Sequence, residues 1–139
     1  MALNMTHKYT KTEVWPVGNN IGSGVAVLSS TNQPAVTLTA SGDHTSTTTV
    51  GPYSVTYPDG GVGLLANQAT VAVDGAFRFP VVGASATTDR NVLVYITGAG
   101  ALTLTASTNA PFGKVDRFIG ETSATETSVW IGDYSADAT

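Results

Sequence analysis

Residues 41–45 bring a carboxylate, an imidazole and two hydroxyl groups together in the sequence. Asp43 and His44 stand between Ser41 and Thr45, which offers the acid, base and nucleophile types of a hydrolase. Neighbouring residues of an extended chain point to opposite sides, so these side chains are not expected to form a relay with each other. The other histidine is His7, and the chain contains no cysteine. We therefore interpret residues 41–45 as a solvated loop and predict no catalytic residue and no metal site.

The glycine-rich segments do not match nucleotide-binding loops. Residues 18–24 contain three glycines, but the Gly-Lys-Ser/Thr of a phosphate-binding loop does not follow them. Residues 113–115 (GKV) end in a valine, which lacks the hydroxyl that would hold a magnesium ion. These segments are interpreted as turns. We predict no cofactor and a function other than catalysis.

Composition narrows the classes of partner. The 139 residues include only 12% charged side chains, 42% hydrophobic ones, 22 Thr and 11 Ser, with a net charge of −4. An acidic chain with few lysines and arginines is not expected to bind nucleic acid over an extended surface. The sequence has no apolar stretch of membrane-spanning length, and residues 1–17 lack the apolar block of a signal peptide. We therefore predict no nucleic-acid partner and no membrane partner.

Short apolar runs separated by turn residues predict a mainly β domain with little or no helix, either a small β-sandwich or a barrel. The strongest hairpin signal is Asp74-Gly75. Residues 41–49 are predicted to be a polar turn, and residues 63–69 (GLLANQA) are the best helix candidate. The expected strand pairs are 24–28 with 35–40, 70–73 with 76–82, 91–97 with 101–106, and 115–119 with 128–132.

The N-terminal segment, residues 1–17, shows no sustained period of 2 or 3.6. Pro16 restricts Trp15 to extended geometry, and residues 18–20 (GNN) then break the chain. Two interpretations stay open: an extended N-terminal arm that orders on a partner, or an ordinary first strand with a frayed end. The predicted organisation is an arm over 1–17, a β domain over 18–132 and a flexible C-terminal tail over 133–139.

Several segments of the chain have a familiar order. They are residues 23–27 (SGVAV), 69–80 (ATVAVDGAFRFP), 91–95 (NVLVY), 102–107 (LTLTAS), 118–121 (FIGE) and 129–132 (VWIG). In this order the sequence resembles the small decoration, or cement, proteins that stabilise the heads of tailed bacteriophages. Residues 29–61 depart from that pattern and resemble an insertion.

The resemblance implies a β-rich subunit, commonly a homotrimer, that binds the major capsid protein on the outer surface of the expanded virion head. Such a protein would pass through the host cytoplasm during assembly. It would place its N-terminal arm along the capsid protein, so that capsid contacts would come from Lys8, Tyr9, Lys11, Val14, Trp15 and Val17.

A different function class also fits a small β protein rich in Thr and Gly: a virion adhesin, a fibre module or a carbohydrate-binding domain. Exposed aromatic side chains beside Asn or Asp would support sugar binding. Trp130 with Asp133 and Tyr134 is the local set with this composition. Terminal-strand packing is the alternative explanation for Trp130.

Overall fold

The structure, a computed structural model, describes residues 4–85, 88, 91–116 and 126–131. Every regular element in these ranges is a β-strand. The strands are β1 (Met5–His7), β2 (Thr12–Pro16), β3 (Ala26–Leu28), β4 (Pro34–Thr37), β5 (Thr45–Val50), β6 (Tyr53–Pro58), β7 (Gln68–Ala72), β8 (Gly75–Val82), β9 (Leu93–Ile96), β10 (Leu102–Thr103), β11 (Ala110–Val115) and β12 (Glu126–Ile131).

Five strands pair in a closed circuit that forms a small barrel. Antiparallel ladders join β8 to β12, β12 to β11, β11 to β9 and β9 to β10, and a short parallel ladder joins β10 back to β8. Alternate side chains of these strands point inward. Phe77 and Phe112 are fully buried, and the ring of Phe112 meets that of Phe79 edge to face, with centroids 6.2 Å apart. The main hydrophobic core therefore lies inside this barrel.

A second sheet, in the order β2-β7-β4-β3, packs against the barrel. All four residues of β4 are buried. Val36 and Ala72 extend the main core from one face of the sheet. Trp15 and Val71 belong to a smaller cluster with Ala35 and Val73, which lies on the other face because successive side chains of a strand alternate. The apolar runs of β4 and β7 thus follow from burial on both faces.

The N-terminal strands and the pair β7–β8 form one ribbon that bends between the two sheets. β1 pairs with β8 in the barrel sheet, and β2 pairs with β7 in the second sheet. At the bend, the carboxylate of Asp74 accepts hydrogen bonds from the amide of Thr10 (2.7 Å), the amide of Lys11 (3.1 Å) and the hydroxyl of Thr10. Gly75, at φ 96°, supplies the left-handed backbone that the turn requires.

The described part of the N-terminal segment, residues 4–17, is therefore built into the two sheets. The structure favours the first-strand interpretation over a free arm. Trp15 is only 9% exposed, because its indole packs in the smaller cluster. The predicted tail, residues 133–139, lies outside the described residues.

The mainly β class is confirmed, and three local predictions are wrong. Asp74-Gly75 does not close a hairpin, since β7 and β8 belong to different sheets. The expected polar turn over 41–49 becomes strand β5 from Thr45 onward, because Thr tolerates an exposed pleated ladder well. Residues 63–69 form a turn leading into β7 rather than a helix. Within the predicted insertion, 29–61, β4 is central to the second sheet, while β5 and β6 form a separate two-stranded sheet.

Candidate functional site

The β5–β6 hairpin carries two chemically different faces. Its register pairs Thr48 with Val55 and Val50 with Tyr53. Alternation then places six side chains on each face. One face, here called the apolar face, consists of Ser46, Thr48, Val50, Tyr53, Val55 and Tyr57. The opposite, hydroxyl face consists of Thr45, Thr47, Thr49, Ser54, Thr56 and Pro58.

The apolar face is exposed along its whole length. Val50 is 62% exposed, Tyr53 71%, Val55 46% and Tyr57 44%. Every residue of the two strands is exposed except Ser46, which is half-buried. An isolated two-stranded hairpin is marginally stable in water, and apolar side chains on one of its faces normally pack on another layer. The apolar face is thus a candidate binding surface.

A two-residue turn sets the register of this hairpin. Gly51 has φ 57°, and Pro52 fixes a negative φ at the next position. This succession is that of a type II′ turn, whose twist matches the right-handed twist of paired strands. The turn and the alternation of Val50, Val55 and Tyr57 with Thr were the sequence signals for this surface. From sequence alone, Pro52 inside the run 50–57 favours an edge strand or a loop, and that interpretation does not identify the hairpin.

Side chains at the base of the hairpin lock its two strands to each other. Asp59 accepts hydrogen bonds from the hydroxyl of Ser46 and pairs with Nδ1 of His44. The amide of Asp59 donates to the carbonyl of His44 (3.0 Å). On the neighbouring loop, Asp43 accepts from the amide of Asn20 and the hydroxyl of Ser41, each at 2.8 Å. The side chain of His44 therefore pairs with that of Asp59, fifteen residues away, rather than with that of its neighbour Asp43.

Asp59, at the base of the hairpin, and Asp43, on the neighbouring loop, are both stabilised in their charged forms. Hydrogen bonds from Ser46 and then from His44 lower the pKa of Asp59. The amide of Asn20 and then the hydroxyl of Ser41 lower the pKa of Asp43. Both groups thus favour the arrangement seen here at neutral pH.

The cleft at this base, of about 570 Å³, is the arrangement nearest to a catalytic site in the described part of the chain. Its lining includes His44, Ser46 and Asp59. A serine nucleophile requires its hydroxyl to bond to the imidazole that removes the proton. Here the hydroxyl of Ser46 instead donates to Asp59. The three side chains accordingly act as a structural lock in this geometry.

The edge of β2 is the second candidate binding surface. In the described part of the chain, β2 is the terminal strand of its sheet. The amide of Val17 donates to the carbonyl of Asn67 (2.8 Å), so alternate residues direct their backbone groups to β7. Thr12 and Val14 direct theirs to the uncovered edge, whereas Pro16 has no N–H to offer. The usable edge is therefore short.

The six predicted capsid-contact residues divide into two groups. Lys8, Lys11 and Val14 are exposed, and Val14 exposes 51% of its surface. Lys11 also pairs with Glu13, at 3.1 Å. Tyr9, Trp15 and Val17 instead pack inward against the two clusters. Only the first group is placed where it can meet a partner without unfolding the edge.

Trp15 also helps to fix the charge at this edge. Its Nε1 donates to the carboxylate of Glu13 at 2.8 Å. This bond, followed by the one to Lys11, lowers the pKa of Glu13. Trp15 therefore stabilises the charged side chain of Glu13 on β2.

The aromatic set proposed for sugar binding cannot be placed. Asp133 and Tyr134 lie outside the described residues, and for Trp130 the structure describes only the backbone, in β12. In the described ranges, no helix has the length and hydropathy to cross a bilayer. The same ranges hold no group of three or more His, Asp or Glu side chains arranged to bind a metal ion.

No family model, no curated protein and no solved structure matches this chain.

Proposed function

We propose that this chain is a decoration protein of a tailed-phage head, which binds the outer surface of the expanded shell and stabilises it against the pressure of packaged DNA. The observation that supports this most directly is the β2 edge. There, Lys8, Lys11 and Val14 are exposed beside a strand that ends its sheet. Lys11 is paired with Glu13, so Lys8, Lys11 and Glu13 together carry a net charge of +1. An uncovered edge with this small positive charge suits an extended segment of a partner protein that carries acidic side chains. The sequence resemblance implies the major capsid protein as that partner.

The stabilising mechanism is thermodynamic linkage. A subunit that binds only the expanded shell lowers the free energy of that state and leaves the unexpanded state unchanged. In a homotrimer, which forms part of this proposal, three edges would bind together. After the first contact forms, the second and third become effectively intramolecular, so weak individual contacts suffice. The short usable edge of β2 is compatible with such weak contacts.

A deletion of residues 1–17 is not a suitable test of this contact. Deleting residues 1–17 would remove β1, β2 and the buried Trp15, so the truncated chain is expected to misfold. Surface substitutions that leave the sheets intact are the appropriate probes. Lys8→Glu reverses one exposed charge in the connection that precedes β2, and Lys114→Glu reverses a half-buried charge on β11 of the barrel.

The experiment uses heads of the phage whose genome encodes this chain, prepared without it, before and after expansion. We expect the wild-type protein to co-sediment with expanded heads only. Lys8→Glu should weaken binding by about two- to fivefold per contact, with a reduced salt dependence. Lys114→Glu should bind as wild type does. Equal binding to unexpanded heads, or no binding to either, would contradict the proposal.

A further inference from the structure

We propose that the apolar face of the β5–β6 hairpin docks against the same face of a second copy of this chain. The contact would stack two hairpins face to face, with Val50, Tyr53, Val55 and Tyr57 of each copy interleaved. Sheets pack in this way at about 10 Å, with the side chains of the two inner faces filling the space between them. This inference concerns the purified chain alone and does not depend on the capsid proposal.

The exposed area sets the strength of this contact. Taking about 200 Å² for a complete tyrosine side chain, the exposures of Tyr53 and Tyr57 amount to about 230 Å². With Val50 and Val55 the face exposes roughly 400 Å², which is within the range of the largest apolar patch on a typical monomer. Two copies would remove roughly 800 Å² from water, below the roughly 1,200 Å² of a stable specific interface. The contact is therefore weak and dependent on concentration.

The charge distribution favours a second copy as the occupant. No charged residue lies between Thr45 and Pro58, and the nearest charges are at the base of the hairpin, where Asp59 pairs with His44. In a two-fold contact the same patch lies on both sides. A charged side chain near the axis would therefore lie opposite the identical charge of the other copy and would be repelled. A surface made only of apolar and hydroxyl groups meets this requirement.

The composition of the face is less suited to a sugar. Carbohydrate sites combine aromatic faces with amide or carboxylate groups that bond to the ring hydroxyls. The polar members of the apolar face are Ser46, Thr48 and the two phenol groups, and it contains no Asn, Gln, Asp or Glu. A second copy of the hairpin uses every member of the face, since tyrosine and valine pack on each other across stacked sheets.

The test is sedimentation velocity of the full chain from about 5 µM to about 1 mM, a range chosen for weak association. The wild type should show a sedimentation coefficient that rises steadily with concentration. The variant Y53T/Y57T keeps strand-forming residues but removes both aromatic rings, and it should associate at least tenfold more weakly. Y53F/Y57F keeps the apolar area and should associate like the wild type. T45A/T49A alters the hydroxyl face and should also behave like the wild type.

Each possible outcome decides the proposal. A sedimentation coefficient independent of concentration for the wild type would overturn it, as would Y53T/Y57T associating as strongly as the wild type. An equal loss in T45A/T49A would place the contact elsewhere and would also overturn it. If the wild type does not self-associate but binds an oligosaccharide in a glycan array, and Y53T/Y57T loses that binding, the face belongs to a sugar instead. Circular dichroism of all variants checks that the strands are retained.

Discussion

Removing the carboxylate of Asp74 tests whether residues 4–17 belong to the fold. Asp74 lies at the bend of the ribbon and accepts three hydrogen bonds, from the amides of Thr10 and Lys11 and from the hydroxyl of Thr10. These bonds join the β1–β2 connection to the β7–β8 connection. In Asp74→Ala all three donors lose their acceptor.

The expected magnitude follows from this geometry. The arrangement resembles a helix N-cap, where a carboxylate accepts from successive backbone amides and its loss costs about 0.5–2 kcal/mol. A third bond raises the loss, but solvent access to these exposed groups lowers it. We expect Asp74→Ala to reduce the free energy of unfolding by about 1–2 kcal/mol, which lowers Tm by roughly 2–8 °C in a domain of this size. Asp74→Asn keeps one acceptor oxygen and should lose about half as much.

The effect has a defined pH dependence. Burial by itself raises the pKa of Asp74, but the bonds from Thr10 and Lys11 outweigh it and the net pKa is lowered from 3.8. A carboxyl group whose pKa is lowered by folding adds stability above its unfolded pKa and loses it as the pH falls through the folded pKa. The difference between wild type and Asp74→Asn should thus be constant from about pH 7 to about pH 5. It should shrink below 3.8.

Urea unfolding followed by tryptophan fluorescence measures this loss, with an unchanged m-value as the sign that the same surface unfolds. Asp59→Ala is the matched control. It removes another carboxylate, but at the base of a hairpin that lies outside both hydrophobic clusters, so global stability should stay near that of the wild type. If Asp74→Ala is as stable as the wild type, the bend is not held by this carboxylate and the reasoning fails.

Two further substitutions probe the packing. Phe112→Ala empties a fully buried position in the barrel and should cost about 3–5 kcal/mol in urea unfolding; a loss below about 1 kcal/mol would show that the barrel core is not closed there. Gly60→Ala would place a methyl group against the carbonyl oxygens of Ser41 and Gly42, and the shift it forces should cost about 1–3 kcal/mol. At Gly98, where a methyl group meets open space, the same change should cost less than about 1 kcal/mol. Equal effects of the two glycine substitutions would contradict the close approach at the hairpin base.

Local sequence signals predicted the pairs that local turns connect. The turn at residues 98–100 joins β9 to β10, with Ile96 opposite Leu102, and the predicted pairing of β3 with β4 is also present. β11 (Ala110–Val115) pairs with β12, but the predicted strand 115–119 shares only Val115 with β11, and residues 117–119 lie outside the described residues. The alternation of Phe77 and Phe79 with Arg78 predicts from sequence that the two rings share the core face of a strand, and both rings are buried.

These local signals could not predict which sheet each strand joins. A turn signal such as Asp74-Gly75 indicates a change of chain direction but not whether the strands on either side pair with each other. Here the two strands lie in different sheets, each paired with a different N-terminal strand. Asp74 at their junction accepts hydrogen bonds from residues more than sixty positions away in the sequence. The partnership of His44 with Asp59 is likewise created by the β5–β6 register. In the sequence, the carboxylate next to His44 is that of Asp43, and nothing local indicates Asp59.

The proposed binding surfaces could be predicted only in part. The exposure of Lys8 and Lys11 could be predicted from their charge. The burial of Trp15 could not, because it depends on the pairing of β2 with β7 in the second sheet. The apolar face of the hairpin was encoded in the alternation over residues 50–57. It could be distinguished from an ordinary core strand only when the structure showed that it covers neither hydrophobic cluster.

The proposed function is that this chain binds a protein shell through the uncovered edge of β2. Because the proposal names tailed-phage heads as the partner, the most direct test uses expanded and unexpanded heads of a tailed phage that carries this sequence. Wild-type protein is added to both, and the amount bound per head is measured by sedimentation through a sucrose cushion. We expect saturable binding to expanded heads in multiples of three and a rise in the temperature at which those heads open. Absence of binding to expanded heads, or binding that leaves their opening temperature unchanged, would contradict it.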